Sequence, residues 1–263
     1  MRFTILSSLI LLLPISTTVI AGQGQIEFSA VIEQSMPQQE PRESKIYVGD
    51  GRMRTDITVN GKTMIQIVDM KQQTAYMLDP AGQSYMVRKA GPGEVMPGGA
   101  SVAAKDANPC AGMQNLGCTR LGVDDVNGRP AEKWEMVNTS PGQSGKMIIW
   151  LDQERHIPVR QSLPDGSTME MRLIGRETLN GRVTEKWEMT ATRPGGQKYV
   201  VEQWFDPVLK MNIREERPGG FVSEFRNIKI GKQPADLFTV PANYKEVSIP
   251  QGGGAEPGRS GEQ

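Results

Sequence analysis

Histidine is almost missing from this chain: His156 is the only one in 263 residues. A Ser-His-Asp or Cys-His arrangement would have to be built around that single imidazole. Its place between Arg155 and Ile157, where a turn enters a strand, reads as a solvated position. Cysteine is equally scarce, with only Cys110 and Cys118. Their spacing is not C-x-x-C and no histidine lies nearby, which argues against a metal or redox centre. In an oxidising compartment such a pair forms one short disulfide loop. Neither sign of charge dominates, with 30 basic and 30 acidic residues. The chain therefore lacks the basic field that binding nucleic acid or a strongly anionic surface relies on. There is no G-x-S-x-G elbow, no phosphate loop and no H-E-x-x-H. The acidic neighbours Asp124-Asp125 and Glu215-Glu216 point apart on a strand or turn and read as solvated carboxylates rather than acid and base. No residue pattern marks an enzyme, and none calls for a cofactor.

Long apolar runs are missing too, except at the start. Arg2 precedes an apolar stretch from Ile5 to Ile15, followed by small and polar residues up to Ala21. This is the pattern of a secretory signal peptide over residues 1–21, cleaved after Ala21. No cysteine stands near that point to carry a lipid. No later segment approaches the roughly 18 to 20 apolar residues of a membrane-spanning helix. The expectation is a periplasmic protein whose mature chain has no transmembrane span.

What the chain does have is strand grammar. Short runs rich in β-branched, aromatic and methionine residues are cut by Asp50-Gly51, Asn60-Gly61, Asn127-Gly128, Asp165-Gly166 and Asn180-Gly181, with further Gly turns between them. No long segment has a 3.6-residue apolar period, so helices should be short, the clearest candidate being the turn at Pro234 to Leu237. The spacing predicts one all-β domain over residues 22–249, a large curved antiparallel sheet. Residues 89–119, rich in Gly, Pro and Ala, read as a long loop tied down by the disulfide. Residues 250–263 read as a disordered tail.

The chain also repeats itself. Asn127-Gly128-Arg129 with Glu132-Lys133-Trp134-Glu135-Met136 recurs as Asn180-Gly181-Arg182 with Glu185-Lys186-Trp187-Glu188-Met189, an offset of 53 residues. After a one-residue shift Trp150 matches Trp204, Asp152 matches Asp206, Arg160 matches Arg214 and Met171 matches Phe225. Units of about 121–173 and 174–230, each of four strands, extend the sheet by duplication.

Alternation places Trp134 with Met136, Trp187 with Met189, Ile148 with Trp150, and Met169 with Met171. The reading is one apolar face lined by Trp134, Met136, Ile148, Trp150, Trp187, Met189, Trp204 and Phe225. Met64, Ile67, Val68, Tyr76, Leu78, Tyr85 and Val87 add to it from the N-terminal segment. Fifteen methionines make such a surface adaptable. Either these side chains fill the core of a twisted sheet, or their set lines a groove for an acyl chain. The two thioethers of Met169-Glu170-Met171 suit soft Cu(I), but nothing near them in sequence completes a site.

Several segments carry a family likeness. They are Lys45-Ile46-Tyr47-Val48, Gly51-Arg52-Met53-Arg54, Asp79-Pro80 before Ser84-Tyr85-Met86, the two Glu-Lys-Trp-Glu strands, and Leu237-Phe238-Thr239-Val240-Pro241-Ala242-Asn243-Tyr244. Together they resemble a family of exported bacterial proteins similar to the outer-membrane lipoprotein carrier and sorting proteins. The resemblance implies a half-barrel of antiparallel strands whose concave, apolar face is lidded by short helices and holds acyl chains. The partner it implies is a lipid or lipoprotein acyl chain. The alternative is an envelope sensor or scaffold that binds another protein.

Overall fold

The structure, a computed structural model, describes residues 26–89, 108–110, 116–139, 145–155 and 157–248, with the backbone of 19–20 and 99–100. The expected signal peptide apart from Val19 and Ile20, the expected tail from residue 250, His156 and most of the segment joining the two halves lie outside these residues. The strands are β1 (Val19–Ile20), β2 (Phe28–Ser35), β3 (Arg42–Gly49), β4 (Arg52–Val59), β5 (Lys62–Asp69), β6 (Thr74–Asp79), β7 (Ser84–Lys89) and β8 (Gly99–Ala100). They continue as β9 (Leu116–Val126), β10 (Arg129–Asn138), β11 (Lys146–Asp152), β12 (Pro158–Ser162), β13 (Thr168–Leu179), β14 (Arg182–Thr192), β15 (Lys198–Asp206), β16 (Met211–Arg217), β17 (Phe221–Ile230) and β18 (Lys245–Glu246). A single 3-10 turn, Ala235–Phe238, is the only helical element among the described residues.

Strands β1 and β8 form a two-residue parallel pair. All the others belong to one open, curved sheet of sixteen strands, ordered β18-β7-β6-β5-β4-β3-β2-β17-β16-β15-β14-β13-β12-β11-β10-β9. The chain enters in the middle at β2, meanders outward to β7, reappears at the opposite edge as β9, and meanders back until β17 pairs antiparallel with β2. The antiparallel meander expected from the turn spacing is thus the fold. One expectation needs correcting: β9 begins at Leu116, so the end of the presumed loop is strand, and Cys118 pairs with Met136 on β10. Alternating burial along β9 is enough to hold that segment against its neighbour despite its glycines.

The hairpins are tight because Asp50-Gly51, Asn60-Gly61, Asn127-Gly128 and Asn180-Gly181 all take positive φ at both positions. This is the geometry whose twist matches that of the flanking strands. Each turn is followed by a cation that opens a strand and pairs with the aspartate that closes the next one: Arg52 with Asp69, Lys62 with Asp79, Arg129 with Asp152, and Arg182 with Asp206. The second oxygen of each aspartate accepts two backbone N–H groups of the following turn. These carboxylates are therefore consumed in holding turns.

Bulges bend the sheet at repeated places. Leu121 on β9 and Ile174 on β13 are extra residues opposite their partners, as are Val159 on β12 and Ile213 on β16. Such bulges raise the local twist and coil a wide sheet instead of leaving it flat.

Candidate ligand-binding face

Residues directly opposite one another on paired strands share a face, so the register traces one face across the sheet. Trp134 opposes Ile149, which opposes Gln161, which opposes Met169. On the next unit Trp187 opposes Gln203, which opposes Glu215, which opposes Ser223 and then Gln34 on β2. Phe225 opposes Ile32 on this same face, which continues through Ile46, Val48 and Val68.

Methionine collects there. The C-terminal half contributes Met136 opposite Met147, Met171 opposite Met189, and Met169 two residues along from Met171. The N-terminal half contributes Met53, and Met77 opposite Met86 beside Met64. Met53 and Met136 are buried, while the other seven are only half-buried. At the β9 edge Cys110, joined to Cys118 in a disulfide, packs against Trp134, Met136, Ile149 and Leu151. Cys110 therefore covers one end of this face.

The expected grouping of the four tryptophans does not survive the register. Trp150 lies opposite Lys133, on the other side of the sheet from Trp134, and Trp204 lies opposite Lys186, on the other side from Trp187. Trp150 nevertheless belongs to the same buried cluster as Trp187, with Ile148, Met171 and Leu173 packed against it. Ile148 goes with Trp150. The reason is that neighbouring positions on one strand face opposite ways, so Ile149 beside Trp134 fixes Trp150 on the far side. Trp150 and Trp204 are instead the centres of two matching polar constellations. The indole N–H of Trp150 donates to Asp124 at 2.8 Å, and that of Trp204 to Glu177 at 2.8 Å. Lys133 and Arg160 lie 5.1 and 5.6 Å from the Trp150 ring, and Lys186 and Arg214 lie 4.7 and 5.3 Å from that of Trp204. Arg160 pairs with Glu170 and Arg214 with Glu224. Cations stacked on indole faces and closed by carboxylates are a structural use of tryptophan.

The electrostatics of this far side follow from those contacts. The Trp150 indole and then Lys133 hold the Asp124 carboxyl below its ordinary value. Burial pushes Glu170 up, but hydrogen bonds from Arg160 and Asn127 outweigh it and leave the carboxyl lowered. Both carboxyls, Asp124 and Glu170, are therefore held in the charged form at neutral pH.

In the N-terminal half the far side is covered. Leu237, Phe238, Val240 and Tyr244 pack over Ile65, Ile67, Leu78, Tyr76 and Tyr85. Of the N-terminal residues expected on the apolar face, only Met64 and Val68 lie on the methionine side, whereas Ile67, Tyr76, Leu78, Tyr85 and Val87 face this strap. The strap and its 3-10 turn thus cover the side opposite the methionines in the N-terminal half. Sequence reasoning missed Met147, Met77 and Met86 and the polar residues Gln203 and Ser223, and it read Glu215 as solvated where the structure buries it, because the carboxylate faces inward toward Gln203 and Ser223. The repeat held a signal for the last three, because it aligns Gln203 with Ile149 and Ser223 with Met169.

No family model matches the chain, and no curated protein matches it. Among solved structures it is similar to a LolA superfamily protein from Nitrosomonas europaea, with 11% identity over 82% of this chain and 91% of that one and a TM-score of 0.36. A putative outer membrane lipoprotein-sorting protein domain from Vibrio parahaemolyticus shows 12% identity over 82% and 90%, with a TM-score of 0.32. A DUF1329 family protein from Desulfovibrio piger shows 14% identity over 82% and 90%, with a TM-score of 0.31.

Proposed function

We propose that this is a non-enzymatic protein of the bacterial periplasm whose methionine face holds the acyl chain of a lipid or lipoprotein. The observation that carries the reading is the set of half-buried methionines gathered on one face of an open sheet. Trp134, Met136, Trp187 and Phe225 supply its buried floor, with Met189 half-buried beside them. Unbranched thioether side chains repack around apolar ligands of varied shape. Each methylene taken from water is worth about 0.8 kcal/mol, so a twelve-carbon chain gains enough to bind after association costs are met.

Native mass spectrometry of protein purified gently from the periplasm, followed by organic extraction, tests the reading. A stoichiometric acyl species is expected, lost in Met171→Glu while the far-ultraviolet circular dichroism is unchanged. A lipid-free protein that also takes up no added fatty acid or lipopeptide overturns it. The second reading, an envelope protein as partner, is favoured by β9, whose outer edge ends the sheet and whose Leu121 and Val123 are each 48% exposed. An unpaired apolar edge accepts an added strand.

A further inference from the structure

The two repeated units carry the same face but not the same chemistry. In the first unit the row from β10 to β13 reads Trp134, Ile149, Gln161, Met169. In the second the same row reads Trp187, Gln203, Glu215, Ser223. Two residues beyond Gln161 the chain has Leu163, and two beyond Glu215 it has Arg217. A fold that accepts isoleucine, glutamine, leucine and methionine at these positions does not need a buried ion pair there.

The pair is nevertheless present. The Glu215 side chain is 4% exposed and accepts a hydrogen bond from the Gln203 amide at 3.1 Å and another from Arg217 Nε. Ser223, opposite it, is 3% exposed. The Arg217 guanidinium lies 5.0 Å from the Phe221 ring and is 20% exposed. Taking such a pair out of water costs more than a well-packed apolar substitute would, so stability does not account for it.

We infer that Arg217, held by Glu215 and Gln203, anchors the anionic head of the amphiphile whose chain lies on the methionine face. This rests on the acyl-chain reading above. Both oxygens of Glu215 are already engaged, which disfavours a cationic head, while among the described residues Arg217 is hydrogen-bonded through Nε, so that its terminal N–H groups face no described acceptor and can take an oxyanion. A planar guanidinium fork suits carboxylate and phosphate alike. The row toward β14 then runs past Val201 to Met189 and Met171, giving the chain an apolar path from its head.

Isothermal titration of the full-length protein with dodecanoate, dodecyl phosphate and neutral monolauroylglycerol tests the anchor. At least tenfold tighter binding of either anion than of the neutral amphiphile is expected, and the tighter of the two anions identifies carboxylate or phosphate as the natural head. The double variant Glu215→Gln with Arg217→Leu, which gives the second unit the residues of the first, should bind all three alike. Should that variant fail to fold, the preference of the wild-type protein remains the test, with Arg217→Lys as the milder change, expected to reduce it. Equal binding of all three by the wild type overturns the anchor while leaving the acyl-chain face standing. Binding of none overturns both.

Discussion

Arg129 and Asp152 face each other at the base of β10 and β11, the guanidinium Nε donating to one carboxylate oxygen while the other takes the backbone N–H groups of Glu154 and Arg155. The Asp152 side chain is 1% exposed. Removing one member of a buried pair strands the other, so Asp152→Ala is expected to cost about 3–5 kcal/mol in urea unfolding. The equivalent change at Asp79, whose pair with Lys62 is solvated, should cost clearly less. Equal losses at the two sites would show that the buried pair has no special weight.

Acid should unfold the protein through the same carboxylates. Burial pushes Asp152 up from its ordinary 3.8, but Arg129 and two backbone N–H groups outweigh it, and Glu170 is likewise lowered from 4.5. A carboxyl lowered by folding contributes stability that is complete above its unfolded value and disappears as pH falls through the folded one. The thermal midpoint should therefore be flat above about pH 5 and fall below about pH 4. In Asp152→Asn the fall should be shallower.

Trp204→Phe separates structural tryptophan from ligand-binding tryptophan. It removes the hydrogen bond to Glu177 and weakens the stacking of Lys186 and Arg214, a loss of about 1–3 kcal/mol in chemical denaturation. Acyl binding should be unchanged because Trp204 is on the far side of the sheet. Trp134→Ala should weaken it.

Reducing the disulfide, or replacing both Cys110 and Cys118 by serine, frees a loop closed over a separation of 8 residues. The chain-entropy argument gives a loss of about 2.5 kcal/mol. Trp134 and Met136 then lose the cover of Cys110, so an apolar dye should bind more strongly to the reduced protein. Unchanged dye binding would mean that the loop stays in place without its covalent tie.

Phe238 plugs the strap onto Ile65, Ile67 and Leu78. Truncation to alanine is expected to cost about 3–5 kcal/mol, and to raise amide exchange in β5 and β6 before β13 and β14.

Four hairpins were legible because the Asn-Gly or Asp-Gly dipeptide supplies the two positive-φ residues a tight turn needs, whereas at Asp165-Gly166 only the glycine takes positive φ and the loop is longer. The pairs Trp134 with Met136 and Met169 with Met171 were legible for a similar reason, since alternation is a property of one strand. Grouping Trp134 with Trp150 failed because it depends on how two strands align, and moving a register by one residue turns every side chain over.

The sequence by itself determined the strands, the turns between them and the disulfide partners, because each follows from residues close in the chain. Only the tertiary structure decided that β2 would meet β17, which of the two faces would gather the methionines, and that Gln203 and Glu215 would stand among them. Those outcomes depend on long-range pairing and on bulges at Leu121, Val159, Ile174 and Ile213, where a single unpaired residue resets the alignment and no local preference announces it.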